Sequence, residues 1–281
     1  MKRFFYSFIV FSIAFSVKCS AQLHVGPVAG LSMSKIYFFD SHPEFKSNPA
    51  FGFDVGVMSS FSVRKNFRLN AQLLFSQRGK DIVGTTSAST GGRVDPQFKL
   101  TARMNYIELP IFYALEFKKI STNEVSVGGR KVYNWYIGAG PVITYWLSTK
   151  GTIRSSNLLE NQIDHLDYKG YFGNSYQSKT QDANKENIPD ANRFQFGLNF
   201  TVGLTFQPDV NHKIMASLHL NLMQSFQGTG VGNFPGTDPI DQDILKSRIN
   251  TLRFSVAYLF DTHIEKRKRG KTTSRIIKRG R

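Results

Sequence analysis

The chain has 281 residues, with 36 Lys and Arg against 20 Asp and Glu, and its only cysteine is Cys19. A single cysteine excludes an internal disulfide framework and a thiolate metal cluster. The formal net charge of +16 arises largely from residues 266–281, which hold nine Lys or Arg and no acid. Since no segment offers 18 consecutive apolar residues, the sequence also predicts no membrane-spanning helix.

The first 21 residues have the features of a secretory signal peptide. A basic pair precedes a short apolar run from Phe4 to Val17, which matches the n-region and h-region of such peptides. Small residues at −3 and −1 predict cleavage after Ala21, leaving Gln22 as the mature N-terminus. Cys19 allows a lipoprotein interpretation as well, but the residues before it match a lipidation site poorly.

Alternation of apolar and polar residues with a period of two predicts eight β-strands. In chain order they cover about residues 22–32, 50–63, 66–78, 99–117, 131–147, 194–206, 212–226 and 247–260. The sixth is the clearest, with small or polar residues on one face and large apolar residues on the other, namely Phe194, Phe196, Leu198, Phe200, Val202, Leu204 and Phe206. A small, polar face suits a lumen, and a large apolar face suits lipid.

The connections between these strands alternate between short and long. Short links fall at 64–66 and 208–211, and a moderate link at 118–130. The long connections are 33–49, 79–98, 148–192 and 227–246. Bacterial outer-membrane barrels have short periplasmic turns and long external loops. We therefore expect an all-β protein, an eight-stranded antiparallel up-and-down transmembrane β-barrel in the cell outer membrane with both termini periplasmic.

Three segments in this order carry a family resemblance: Tyr106 to Ile111, Gly138 to Pro141, and Tyr145 to Leu147. Together with the Gly-rich sixth strand and a last strand ending in Phe, they resemble the outer-membrane β-barrel domain of porin-like proteins common in Bacteroidota. The resemblance spans about 22–260 and implies a small eight-stranded barrel without implying a single activity. A few relatives are accessory parts of a type IX secretion and gliding apparatus. The connection 148–192 and the basic tail depart from the family pattern.

Four side chains on the predicted inward face are candidates for the lumen: Arg68, Glu108, His219 and Arg253. Arg68 and Glu108 lie on neighbouring predicted strands, and a loop centred near residue 88 would set them opposite each other. We expect a charge-paired interior plug and no open general porin, because eight strands leave room only for side chains. A lone lumen His is more typical of a packed polar interior than of a catalyst.

The long connection 148–192 offers candidates for chemistry at the rim: Asp164, His165 and Asp167. They suit solvated loop residues better than a catalytic or metal site, and no cofactor and no enzymatic activity are expected. The alternatives are a rim enzyme acting on lipid or peptide and a narrow solute channel. A soluble lipocalin-type barrel would need its apolar face inside. Aromatic residues in this connection indicate either a binding surface or a loop folded over the barrel mouth.

The chain divides into a signal peptide (1–21), a barrel (22–262) and a basic periplasmic tail (263–281), which is expected to be disordered. Expected partners are outer-membrane lipid, the barrel assembly machinery, and envelope or secretion-system proteins, with nucleic acid excluded by export. The assembly machinery would read the aromatic residues of the last strand, Phe254, Tyr258 and Phe260. The sequence does not indicate an oligomeric state.

Overall fold

The computed structural model describes residues 23–39, 45–64, 66–84, 97–118, 132–172, 185–188, 190–209, 212–229, 231–232 and 243–262. The expected signal peptide, its cleavage site at Ala21 and Gln22, and the basic tail 263–281 lie outside these residues. Within the described ranges, no helix is long and apolar enough to cross a membrane.

Thirteen strands and one short helix make up the described secondary structure. The helix is α1 (Ser156–Glu160), and the strands in chain order are β1 (Leu23–Phe38), β2 (Phe45–Asn48), β3 (Ala50–Arg64), β4 (Phe67–Gly84), β5 (Lys99–Lys118), β6 (Val132–Arg154), β7 (Leu166–Phe172), β8 (Lys185–Ile188), β9 (Phe194–Asp209), β10 (His212–Met223), β11 (Val231–Gly232), β12 (Asp243–Ile244) and β13 (Ser247–Asp261).

Eight long strands form a closed antiparallel ring in the order β1, β3, β4, β5, β6, β9, β10 and β13. The last strand closes the ring against the first, with partners running from His24 opposite Asp261 to Phe38 opposite Ser247. Closure removes the free edges that an open sheet would expose. All eight predicted strands are present, and the predicted fold class is confirmed.

The ring has two unlike ends. We call one the short-turn end, where β3 meets β4 around Asn66, where β9 meets β10, and where β1 begins and β13 ends. The other is the long-loop end, which carries the long connections. The alternation of connection lengths in the sequence thus corresponds to the two ends of one barrel.

Large apolar side chains face outward along all eight strands, and we call this surface the belt. On β13 the outward residues are Leu252, Phe254, Val256, Tyr258 and Phe260, all exposed, while the residues between them are buried. On β9 the belt runs from Phe194 to Phe206. Twelve residues of strand cover about 40 Å, which a tilt of about 40° reduces to roughly 30 Å. This height matches the hydrocarbon core of a bilayer.

Aromatic rings pair on the outside of the barrel at its short-turn end. Phe117 stacks on Trp135 with ring centroids 4.1 Å apart, and Tyr133 stacks on Phe206 at 4.8 Å. Tyr258 meets Phe260 edge to face at 4.9 Å. Such rings form the aromatic girdle that membrane barrels place at a lipid–water interface.

Several strands are longer than the sequence analysis predicted. β1, β4 and β6 continue to Phe38, Gly84 and Arg154, so three predicted connections begin later than expected. The extensions lie beyond the belt, where inward residues include apolar Ile36, Ile82 and Ile153 and outward residues include Lys35 and Lys150. The period of two continues there, but apolar residues shift from the outward positions to the inward positions. A pattern with apolar residues on the outward face therefore does not extend into these segments.

Replacing Phe200 with Arg should strongly weaken insertion into bilayers. Phe200 lies at the middle of the belt on β9 and is 45% exposed, and an Arg at the membrane midplane costs about 2–4 kcal/mol. Leu159→Arg is the matched control, because Leu159 is 43% exposed on α1, beyond the belt. The free energy of folding into lipid vesicles, measured by urea titration, distinguishes the two. Equal losses would contradict the lipid-facing assignment of the belt.

Candidate functional site

A layer of charged side chains crosses the middle of the barrel. Arg78 of β4 lies 2.5 Å from Glu108 of β5, measured from Nη2 to Oε1. Arg253 of β13 lies 3.5 Å from Glu108 Oε2 and 3.9 Å from Asp54 Oδ1. All four side chains are at most 4% exposed. Two cations and two anions balance one another, as buried charges must to persist in a low-dielectric interior.

Neutral polar groups complete this charged layer. Arg253 Nη2 donates to Gln72 Oε1 at 3.0 Å, and Ser76 Oγ donates to Asp54 Oδ1 at 2.5 Å. The side chain of Gln72 also reaches the sulfur of Met58, with 3.5 Å between Nε2 and Sδ. The layer therefore joins side chains from four strands, β3, β4, β5 and β13. Strand β1 lies between β13 and β3 in the ring.

The predicted ion pair between Arg68 and Glu108 is wrong. Arg68 instead binds Glu116, with 2.7 Å between Nε and Oε1, near the short-turn end. Leu74, and not Arg68, is the residue opposite Glu108 in the β4–β5 ladder. The connection between these strands is long, so its length could not define their register. Arg68, Glu108 and Arg253 do all point into the barrel, in two separate clusters.

His219 of β10 is buried in the interior, and no carboxylate of the described residues forms an ion pair with it. Its ring meets Phe112 edge to face at 5.5 Å, and its Nδ1 lies 3.4 Å from Asn199 Oδ1. Tyr136 and Ser217 are hydrogen-bonded nearby. The Tyr136 ring lies over Gly203, where a Cβ would come within 2.6 Å of it. This region is packed with rings and amides.

An apolar cluster, distinct from the charge-paired plug that the sequence predicts, fills the barrel at the long-loop end. We call this apolar cluster the plug from here on. Tyr106 of β5 stacks on Trp146 of β6 at 6.1 Å, and Trp146 meets Phe172 of β7 at 4.8 Å. The guanidinium of Arg78 lies 4.8 Å from the centre of the Tyr106 ring, so the plug rests directly on the charged layer. Its buried members are Ile36, Ile82, Phe98, Leu100, Ala102, Met104, Tyr106, Trp146, Ile153, Leu158, Tyr168, Ile188, Leu245 and Ile249.

The predicted loop 148–192 is largely folded where it is described. After β6, helix α1 and strand β7 turn back over the barrel mouth, β7 pairs with β6, and β8 runs parallel to β7. Leu158, Tyr168 and Ile188 anchor this segment, which we call the cap, in the plug. The alternative of a loop folded over the mouth therefore describes this region.

The rim residues Asp164, His165 and Asp167 do not converge on one point. Asp164 binds Arg154 at 2.9 Å and His165 at 3.0 Å, and all three side chains are exposed. The hydrogen bond from His165 and the charge of Arg154 lower the pKa of Asp164 below its ordinary value. Asp167 accepts instead from Thr152. In the described part of the chain, no group of three or more His, Cys, Asp or Glu could hold a metal ion.

A closed ring, an outward apolar belt and a polar interior define the class: a transmembrane β-barrel. The chain belongs to the outer membrane protein beta-barrel domain family, whose profile matches residues 18–228. Membership of this family means that the protein is an outer-membrane protein. No curated protein matches the chain.

Solved structures that resemble the chain are distant in sequence. OprG from Pseudomonas aeruginosa shares 10% identity with a TM-score of 0.46, covering 86% of this chain and 95% of its own. Ail, the attachment invasion locus protein of Yersinia pestis, shares 11% identity with a TM-score of 0.35, covering 85% and 99%. Neisserial surface protein A shares 10% identity with a TM-score of 0.35, covering 85% and 96%.

Removing one carboxylate from the charged layer should destabilise the barrel. Glu108→Gln leaves Arg78 and Arg253 with Asp54 as the remaining anion, and breaking a buried pair in this way costs about 3–5 kcal/mol. Adding Arg78→Met should recover part of the loss, because it removes the unpaired cation. Asp164→Asn, on an exposed pair, should have little effect because solvent screens it. Guanidinium titration in detergent micelles measures the free energy of unfolding of all three variants. A Glu108→Gln variant as stable as Asp164→Asn would contradict this role.

Proposed function

We propose that the protein is a closed, non-conducting outer-membrane barrel that presents its capped long-loop end as a binding surface for other envelope components. The observation that carries the proposal is the filled interior. The plug, the charged layer and a second apolar cluster nearer the short-turn end follow one another along the lumen. A barrel built to pass solutes would leave a wet path between these layers.

The cap supports a binding role at the long-loop end. Strands extended beyond the belt are not needed for anchoring, since the belt alone matches a bilayer. In this chain they support α1, β7 and β8, and they hold exposed aromatic residues such as Tyr171 in an ordered position. Exposed aromatic rings on a rigid support are typical of protein interaction surfaces. A structural or secretion-accessory role uses the same surface.

The proposed orientation places the short-turn end in the periplasm and the cap outside the cell. It rests on the usual placement of short turns and long loops in bacterial barrels. It also places the end of β13 on the periplasmic side. Its outward aromatic residues, Phe254, Tyr258 and Phe260, would be available there to the barrel assembly machinery. We propose no enzymatic activity, because the exposed rim residues Asp164, His165 and Asp167 do not converge on one point.

The purified barrel should show no stable single-channel conductance in planar bilayers. The expected trace is a flat baseline at all voltages that the bilayer tolerates, because the plug, the charged layer and the second apolar cluster fill the described part of the barrel. A general porin reconstituted in the same way serves as the positive control. Reproducible conductance steps from the purified barrel, absent from detergent alone, would overturn the non-conducting function.

The orientation can be read from single cysteines, since Cys19 is the only native one. In a Cys19→Ala background, Asp164→Cys in the cap should react with a membrane-impermeant maleimide in intact cells. Asn66→Cys in the β3–β4 turn should react only after the outer membrane is permeabilised. Both positions are exposed, so reactivity reports their side of the membrane. Labelling of residue 66 with protection of residue 164 in intact cells would reverse the orientation.

A further inference from the structure

Three cations lie side by side on the outside of the barrel, just beyond the belt. Arg103 of β5 is the cross-strand partner of Lys150 of β6, and Lys150 is the partner of Lys169 of β7. All three side chains are exposed on the outward face. Adjacent strands lie about 4.8 Å apart, so this cationic row brings three positive charges within roughly 10 Å.

The row has no counter-charge within the described part of the chain. None of its members forms an ion pair there, whereas Arg154, four residues further along β6, binds Asp164 at 2.9 Å. The nearest acids on this face are Asp81, opposite Thr101, and Asp167, opposite Thr152. Both lie two residues along the strands from the row, and Asp167 accepts a hydrogen bond from Thr152. Like charges directly opposite in a sheet are destabilising. An anion bound across the row would offset that repulsion.

The height of the cationic row on the barrel indicates which class of anion it would bind. Ile107 and Tyr145 are cross-strand partners at the edge of the belt. Arg103 precedes Ile107 by four residues, which is about 13 Å along the strand and roughly 10 Å along the membrane normal after tilt. Lipid headgroups occupy about 5–8 Å beyond the hydrocarbon edge. The long Arg and Lys side chains can bridge the remaining distance by extending towards the headgroups. The row also points away from the barrel axis, towards surrounding lipid.

We propose that the cationic row binds the phosphate groups of a phosphorylated lipid in the leaflet at the long-loop end. Arg103 and the two lysines neutralise the phosphates, while the acyl chains of the same lipid lie on Ile107 and Tyr145. The proposal rests on the membrane placement given under the proposed function, in which this leaflet is the outer one. It defines one preferred lipid site on the β5–β6–β7 wall of the barrel.

The test compares two triple variants with the same change in charge. The row variant carries Arg103→Gln, Lys150→Gln and Lys169→Gln. The control carries Lys35→Gln, Lys246→Gln and Arg248→Gln on the opposite wall, around β1 and β13. Those three control cations lie 4.6–5.5 Å from the rings of Tyr37, Phe39 and Phe226. Each barrel is reconstituted in phosphatidylcholine nanodiscs containing a small fraction of phosphorylated or dephosphorylated lipid A. Native mass spectrometry then counts the lipid retained on the protein.

The wild type and the control variant should retain phosphorylated lipid A equally, and the row variant should retain roughly tenfold less, since three exposed charge contacts multiply to about that factor. Dephosphorylated lipid A should be retained weakly by all three. Equal retention by the row variant and the wild type, equal loss in both variants, or no preference for phosphate would overturn the site.

Two safeguards keep the test decisive. If the row variant does not reach the heat-modifiable folded form, Lys150→Gln alone replaces it, because Lys150 is the central cation, and its expected loss is about two- to threefold. Nanodiscs expose both leaflets to the same lipid, so the result does not depend on orientation. Failure here together with the expected cysteine labelling would therefore refute the lipid site and leave the proposed function standing.

Discussion

The structure depends on one constraint: in hydrocarbon, every backbone N–H and C=O must find a partner within the protein. Strands satisfy it only when the sheet has no edge, so β13 must pair with β1, as it does from His24 to Phe38 except at Gly26 and Pro27. A ring of eight strands encloses a space only as wide as side chains. The same constraint that places the chain in a membrane therefore also requires its interior to be filled.

The filling changes along the barrel because the surroundings change. Within the belt, lipid covers the outside and the inside carries the polar groups, of which Arg78, Glu108, Arg253 and Asp54 form a neutral set. Beyond the belt, lipid headgroups and then water cover the outside, and the inside becomes largely an apolar core like that of a soluble barrel. The plug and the cap are thus a small water-exposed domain built on the extended ends of membrane strands.

Much of this fold could be predicted from the sequence, because each strand in the belt alternates without interruption. The extensions of the strands beyond the belt also show an alternating pattern in the sequence. Phe98, Leu100, Ala102, Met104 and Tyr106 alternate with Lys99, Thr101, Arg103 and Asn105, but on the opposite phase from the belt residues that follow. A pattern with one apolar face ends at that change of phase. The change of phase reflects the passage from lipid to water outside the barrel and not the end of the strand.

Pairings across strands could not be predicted in the same way. Alternation assigns a residue to a face but gives no register, and only a tight turn would fix the register of two strands. Arg68 and Glu108 both lie on the inward face, yet they are six positions out of step along β4 and β5. The row formed by Arg103, Lys150 and Lys169 depends equally on register, as well as on β7, which was expected to be loop.

The central claim is that the apolar face of this barrel meets lipid while its interior is closed to it. The chain holds two tryptophans, Trp135 at 45% exposure on the outward face and Trp146 at 2% in the plug. Quenching of single-tryptophan variants by brominated lipids tests the claim directly. Trp135, in Trp146→Phe protein, should be strongly quenched, and Trp146, in Trp135→Phe protein, should not. Quenching of Trp146 with protection of Trp135 would contradict the account.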